Sequence, residues 1–187
     1  MRFNRAMLAC ALILALSVSV ASAQANLGFK GIGVRAGMVD PENLDATLAF
    51  GIFTDLGTFH PSVSFETYVN YWSWSEEAVG FDMTFRDVVI GAKTEYMFNV
   101  STVRPFIGAG LSLHLLKSEM GMDLGSLGIP GVTSFDASAT DTKLGVDVGG
   151  GLRANASDRI DIIGEAWYGI VSDINQLGVT AGVLFKF

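Results

Sequence analysis

From residue 176 onward, Leu177, Val179, Ala181, Val183, Phe185 and Phe187 alternate with Gln176, Gly178, Thr180, Gly182, Leu184 and Lys186. A period of two sends successive side chains to opposite faces, so the segment reads as a β-strand with one apolar face. Residues 143–154 alternate more starkly, with Leu144, Val146, Val148, Gly150, Leu152 and Ala154 on one face and Lys143, Gly145, Asp147, Gly149, Gly151 and Arg153 on the other. Similar alternation runs through 27–38, 46–56, 63–74, 88–98, 103–116 and 160–171, which makes eight predicted strands. The connections differ by turns: 57–61, 99–102 and 155–159 are short, whereas 40–45, 75–82, 118–141 and 172–175 are more acidic and mostly longer. No linker, heptad or low-complexity block breaks the series, so a single all-β domain over residues 24–187 is expected.

The two faces choose the solvent. A soluble barrel turns its apolar face inward, while a transmembrane barrel turns it to lipid and keeps polar groups inside. Glycine alternates with charge on the polar faces, as in Gly31, Gly33, Arg35 and Gly37. Such glycine weakens a strand facing water but suits a crowded interior. The predicted fold is therefore an eight-stranded, antiparallel, up-and-down transmembrane β-barrel. Its lumen would hold Arg35, Lys93, Arg104, Lys143, Arg153 and Lys186 against Asp55, Glu66, Glu95, Asp147, Asp161 and Glu165. Equal numbers of each sign predict a paired network, because an unpaired buried charge is costly. An interior of this size is filled by side chains or admits a small ligand, which disfavours a general diffusion pore.

The N-terminus sets the compartment. Two arginines in the first five residues, the apolar run 6–20 and Ala21-Ser22-Ala23 form a Sec-type signal peptide, with removal expected before Gln24. Cys10, the sole cysteine, leaves with it, so thiol catalysis, disulfides and cysteine-held metals are not expected in the mature chain. The formal charge of the 187-residue chain is -7 and becomes -9 when Arg2 and Arg5 are lost, which argues against a nucleic-acid partner. Mean hydropathy of +0.41 is high for a chain with no long apolar helix after residue 23, and the outward strand faces account for it.

The last residues, Gly182-Val183-Leu184-Phe185-Lys186-Phe187, resemble the C-terminal signal of outer-membrane barrels, in which a glycine precedes alternating apolar residues and a final aromatic. With the signal peptide and glycine-rich strands such as Pro105-Phe106-Ile107-Gly108-Ala109-Gly110-Leu111, the mature chain resembles small outer-membrane barrels of the OmpX and OmpA transmembrane-domain type. That resemblance implies outer-membrane location and contact with lipid and lipopolysaccharide. It also implies assembly by periplasmic chaperones and by the barrel-assembly machinery, which reads Gly182, Phe185 and Phe187. A peptidoglycan-binding domain after the last strand, and with it a tethering role, is not expected.

Candidate chemistry is sparse. His60 lies in a predicted turn beside Pro61, without an acidic neighbour in sequence. His114 shares an inward face with Ser112, and Asp147 or Glu165 would complete the residue types of a hydrolytic triad. An inward Ser-x-His is nevertheless badly placed for a lipid substrate, and an interior hydrogen bond is the expected role. No phosphate loop, Gly-x-Ser-x-Gly elbow, His-Glu-x-x-His helix or dedicated Ca²⁺ loop is present, and no cofactor is expected. Trp72, Trp74 and Trp167 fall on inward faces toward the loop end, where with His114 they would plug the mouth or line a small pocket. Tyr71 and Tyr168 above, and Tyr96, Phe98, Phe185 and Phe187 below, are candidate interface girdles. The segment 118–141 carries Met120, Met122, Leu124, Leu127 and Ile129 among its acids, which fits strands continuing above the membrane or a protein contact. The leading expectation is a structural or surface-interaction role through the loops. A barrel binding or passing a small ligand comes second and a lipid-modifying enzyme third.

Overall fold

The computed structural model describes residues 25–78, 81–98, 100, 102–122, 135–172 and 174–187. The predicted signal peptide, residues 1–23, lies outside them. Eight strands follow in order: β1 (Asn26–Pro41), β2 (Thr47–His60), β3 (Val63–Ala78), β4 (Phe81–Met97), β5 (Val103–Met122), β6 (Phe135–Ser157), β7 (Ile160–Val171) and β8 (Gln176–Lys186). Each pairs antiparallel with the next, and β1 pairs antiparallel with β8, with Val34 opposite Val183, so the sheet closes on itself. Closure removes the free sheet edges that lipid would not tolerate.

The parity read from the sequence is the parity of the wall. Val34, Ile52, Leu111, Leu144 and Val179 stand on the outer surface, Leu144 77% exposed, whereas Arg35, Glu66, Lys93, Glu95, Arg153 and Glu165 are buried inside. A continuous belt of exposed large hydrophobics around a buried charged interior is the arrangement that lipid stabilises and water does not.

This apolar outer face ends at one level. On β3 it stops at Tyr71 and continues as Ser73, Ser75 and Glu77; on β5 it stops at Leu115 and continues as Lys117 and Glu119. Tyr71 is opposite Val88, and Val88 is opposite Leu115, so the steps on β3, β4 and β5 coincide. On β6 the step falls between Thr142 and Leu144. The strands do not stop there. Residues 75–78, 81–82, 118–122 and 135–141, expected as connections, are strand, with Ala78 paired to Phe81 and Met122 to Phe135. Residues 123–134, including Leu124, Leu127 and Ile129, lie outside the described residues. Within the 75–82 segment expected as a loop, residues 75–78 are thus paired with 81–84.

The lumen is filled by more than charge. One cluster packs Phe53, Tyr68, Val89, Met97, Phe106, Ile163 and Leu184, with Trp167 against it. Nearer the loop end, Val39, Ala49 and Trp72 form a second cluster with Leu44, Trp74, Phe85 and Ile174 around it. Small residues opposite these rings make the packing possible. A methyl group placed on Gly33 would collide with the Phe53 ring, and one on Gly91 with that of Tyr68.

Candidate functional site

At mid-height the lumen holds a continuous ion-pair network. Lys93 Nζ lies 2.7 Å from Glu165, 3.0 Å from Glu95 and 3.2 Å from Glu66. Arg35 lies 3.2 Å from Glu66 and also pairs with Glu165. Arg153 joins Glu95 at 3.3 Å to Asp55 at 3.2 Å. The cations rest on aromatic faces too, Arg35 4.9 Å from the Phe53 centroid and 5.0 Å from that of Tyr68, and Lys93 4.3 Å from that of Trp167. Each of these three cations thus has partners from at least two strands, the condition under which desolvated charge is tolerated. Toward the turn end, Lys186 at 2.6 Å and Arg104 at 3.6 Å share Asp161.

Two predicted members of the network sit apart from it. Lys143 pairs at 3.5 Å with Asp141, which is mostly exposed at the loop side. Asp147 has no cation within ion-pair distance among the described residues; its Oδ2 accepts a 2.5 Å hydrogen bond from the Tyr68 hydroxyl. One buried acid of the lumen, outside this network, was missed. Asp87 is buried on β4, a position outside the predicted strand because the step from Arg86 to Val88 marks the membrane border on the other face.

Asp87 completes the Ser112–His114 pair. Ser112 Oγ lies 3.1 Å from His114 Nε2, and His114 Nδ1 lies 2.7 Å from Asp87 Oδ2. The acid is neither Asp147, held by Tyr68, nor Glu165, which binds Arg35, Lys93 and Trp167. These are the atoms a proton relay would use. All three side chains are enclosed, His114 with 0% exposure, and Ser112 sits against Gly145 of β6. Gln176 Nε2 is 3.4 Å from His114 Nδ1 and its Oε1 accepts from Trp72 Nε1 at 3.0 Å, which ties the relay to the plug.

The tryptophans divide between levels. Trp72 and Trp74 belong to the loop-end cluster, while Trp167 packs on the other one and donates to Glu165 at 2.8 Å. A cavity of about 90 Å³ lies beside Tyr68, Asn70, Trp72, Asp147 and Gln176. A second, of about 470 Å³, opens at the turn end beside Asp55, Arg104, Arg153 and Asp161. Glu66, Glu95, Phe106 and Leu184 line neither and stand buried within the lumen. His60, at the end of β2, accepts a 3.4 Å bond from the Ser62 amide.

Above the membrane border the sheet is four-stranded, and its two outer edges pair with no further strand among the described residues. Residues 135–142 of β6 pair with β5 but not with β7, whose first partner is Gly145; residues 73–78 of β3 pair with β4 but not with β2. The outer face here is polar. Glu119 lies 2.6 Å from Lys117 and 2.9 Å from Arg86, and the Lys117 hydrogen bond, assisted by Arg86, holds its carboxyl below the ordinary carboxylate range.

A closed ring of eight strands, apolar outside and charge-paired inside, defines a transmembrane β-barrel. More particularly, the chain belongs to the outer membrane protein beta-barrel domain family, which matches residues 8–187. Its structure is similar to that of Neisserial surface protein A, with 20% identity, 84% of this chain and 97% of that chain covered, and a TM-score of 0.57. It is similar as well to Ail, the attachment invasion locus protein of Yersinia pestis, with 17% identity, coverage of 86% and 99%, and a TM-score of 0.60. A major outer membrane protein of Thermus thermophilus has a TM-score of 0.60 at 8% identity, over 84% of this chain and 99% of that one. No curated protein sequence matches the chain. The protein is an outer-membrane barrel.

Proposed function

We propose that the protein is a non-enzymatic, non-conducting barrel with a structural and surface-interaction role, exercised through the sheet above the membrane. The observation that carries this reading is the continuation of β3 to β6 past the level where the apolar outer face ends, leaving edge strands among the described residues at 73–78 and 135–142. Exposed edges offer unpaired backbone donors and acceptors to another chain. The lumen supports the same reading, because ion pairs and two side-chain clusters occupy it. Export through a cleaved signal peptide, delivery by chaperones, assembly through Gly182, Phe185 and Phe187, and contact with lipopolysaccharide are part of the proposal.

Replacing residues 75–82 and 118–141 by short turns tests it. Cells carrying the trimmed barrel should lose adhesion or cell–cell aggregation that the wild type confers, while the protein still shifts on gels when boiled, as a folded barrel does. Trimmed and wild-type cells that behave alike would refute the role.

The second reading, a small-ligand barrel, draws on the 90 Å³ cavity walled by Tyr68 and Trp72. Planar-bilayer recording separates it from the first. We expect no stable conductance, and saturable uptake abolished by Trp72→Ala would reverse the order of the two. For a lipid-modifying enzyme the enclosure of Ser112, His114 and Asp87 is unfavourable, since no lipid ester reaches Ser112 Oγ. Lipid A should have the same mass spectrum with wild type, His114→Ala or no protein.

A further inference from the structure

Three registered rows cross the protruding sheet on the face that continues the lumen wall. Trp74, Phe85, Ser118 and Ala139 form the lowest, Glu76, Met83, Met120 and Ala137 the next, and Ala78, Phe81, Met122 and Phe135 the highest. This face is apolar across its middle. The opposite face carries Glu77, Asp82, Arg86, Lys117, Glu119 and Asp136. The polarity of the wall is therefore reversed above the membrane: where lipid is absent, the apolar side is the one toward the barrel axis. Its base is covered, with Trp74 and Phe85 packed 6.2 Å apart against the Trp72 cluster. Its upper rows are not covered by described residues, and Met120 and Phe135 are 37% and 58% exposed.

Two properties of this face name its occupant. Of the chain's seven methionines, three are here, and unbranched thioether side chains repack around varied apolar partners. Acid flanks them at both edges. Glu76 lies on the β3 edge of the face and Asp141, 3.5 Å from Lys143, on the β6 edge, while the four other acids of the protruding strands face the opposite side, where Arg86 and Lys117 pair with Glu119. An apolar, methionine-rich surface with an acidic rim complements a segment that is apolar on one side and basic on the other. Four strands about 4.8 Å apart make a bed wide enough for one helix, roughly 10 Å across. We propose that this face docks a cationic amphipathic helical segment of a partner protein or peptide, the apolar side on Met83, Met120, Met122, Phe81 and Phe135 and the basic residues toward Glu76 and Asp141. The inference rests on the surface-interaction reading and specifies its partner.

The test uses the full mature protein in zwitterionic nanodiscs and a synthetic helix with leucine on one side and lysine on the other, plus a version with glutamate for lysine. Saturable binding of the lysine peptide is expected, with methyl shifts at Met83, Met120 and Met122 and none at Met38 or Met97. Added salt and Glu76→Lys should each weaken it, and Met83→Glu should weaken it by about tenfold or more. No binding beyond that of empty nanodiscs, equal binding of the glutamate peptide, or indifference to Met83→Glu would overturn the proposal. So would methyl shifts from a neutral acyl lipid in place of the peptide. If the peptide fails while trimming the hairpins still abolishes adhesion, the partner chemistry falls and the surface role stands; if trimming also changes nothing, both fall.

Discussion

Lys93 joins three carboxylates, Glu66, Glu95 and Glu165, more ion-pair partners than any other cation among the described residues. Lys93→Met should destabilise the folded barrel by about 3–5 kcal/mol, the cost of leaving buried charge uncompensated. Lys117→Met, at a half-exposed pair, should cost under about 1 kcal/mol. Urea unfolding in lipid vesicles measures both, and equal effects would contradict the network. A double-mutant cycle probes the enclosed relay. His114→Leu strands Asp87, whose Oδ1 already lacks a hydrogen-bond partner among the described residues. The double change Asp87→Leu/His114→Leu should therefore be less destabilising than His114→Leu alone. Strand parity was enough to point Arg35, Glu66, Lys93 and Glu165 inward. It did not pair them, since pairing depends on stagger between strands. The tie of Asp147 to Tyr68 instead of to a cation is a consequence of that geometry.

At the scale of elements, alternation disclosed each strand while lipid enforced it and failed where lipid ends. Residues 81–86 and 135–140 are strand, yet their outward positions are polar and their inward ones apolar, the reverse of the membrane-embedded pattern. A single polarity followed along β4 loses the strand at the inversion, and Asp87 with it. An arginine scan along the outward positions of β6 checks where the border falls. Val148→Arg should cost about 2–4 kcal/mol and Thr140→Arg close to nothing, with the step between Thr142 and Leu144. A uniform cost along the strand would remove the border. Packing inside makes a separate prediction: Gly33→Val, driven against the Phe53 ring, should lower the yield of heat-modifiable barrel, while Gly164→Ala, with open space around it, should not.

For the whole molecule the fold joins a cylinder packed with side chains to an amphipathic sheet, and both the sheet and the remaining loops carry an acidic excess. Residues 103–115 of β5, at about 3.3 Å per residue and tilted roughly 40°, span about 30 Å along the membrane normal, close to an outer-membrane apolar band with its girdles. Tyr71 and Tyr168 face outward toward one end of that band, and Tyr96, Phe98, Phe185 and Phe187 toward the other, with Tyr96 and Phe98 5.0 Å apart. The predicted signal peptide and the terminal motif made the location legible from the sequence, whereas the proposed docking surface depends on the registered rows that β3 to β6 share. The most direct test of the account is spin-label accessibility along β5 in bilayers, position by position from 103 to 122. Odd positions up to Leu115 should collide with lipid-dissolved oxygen and those from Lys117 onward with an aqueous nickel chelate, while even positions from Phe106 to His114 should be shielded from both. Aqueous access at Ile107 or Leu111, or lipid access persisting to Gly121, would contradict a barrel that crosses the membrane and then rises above it.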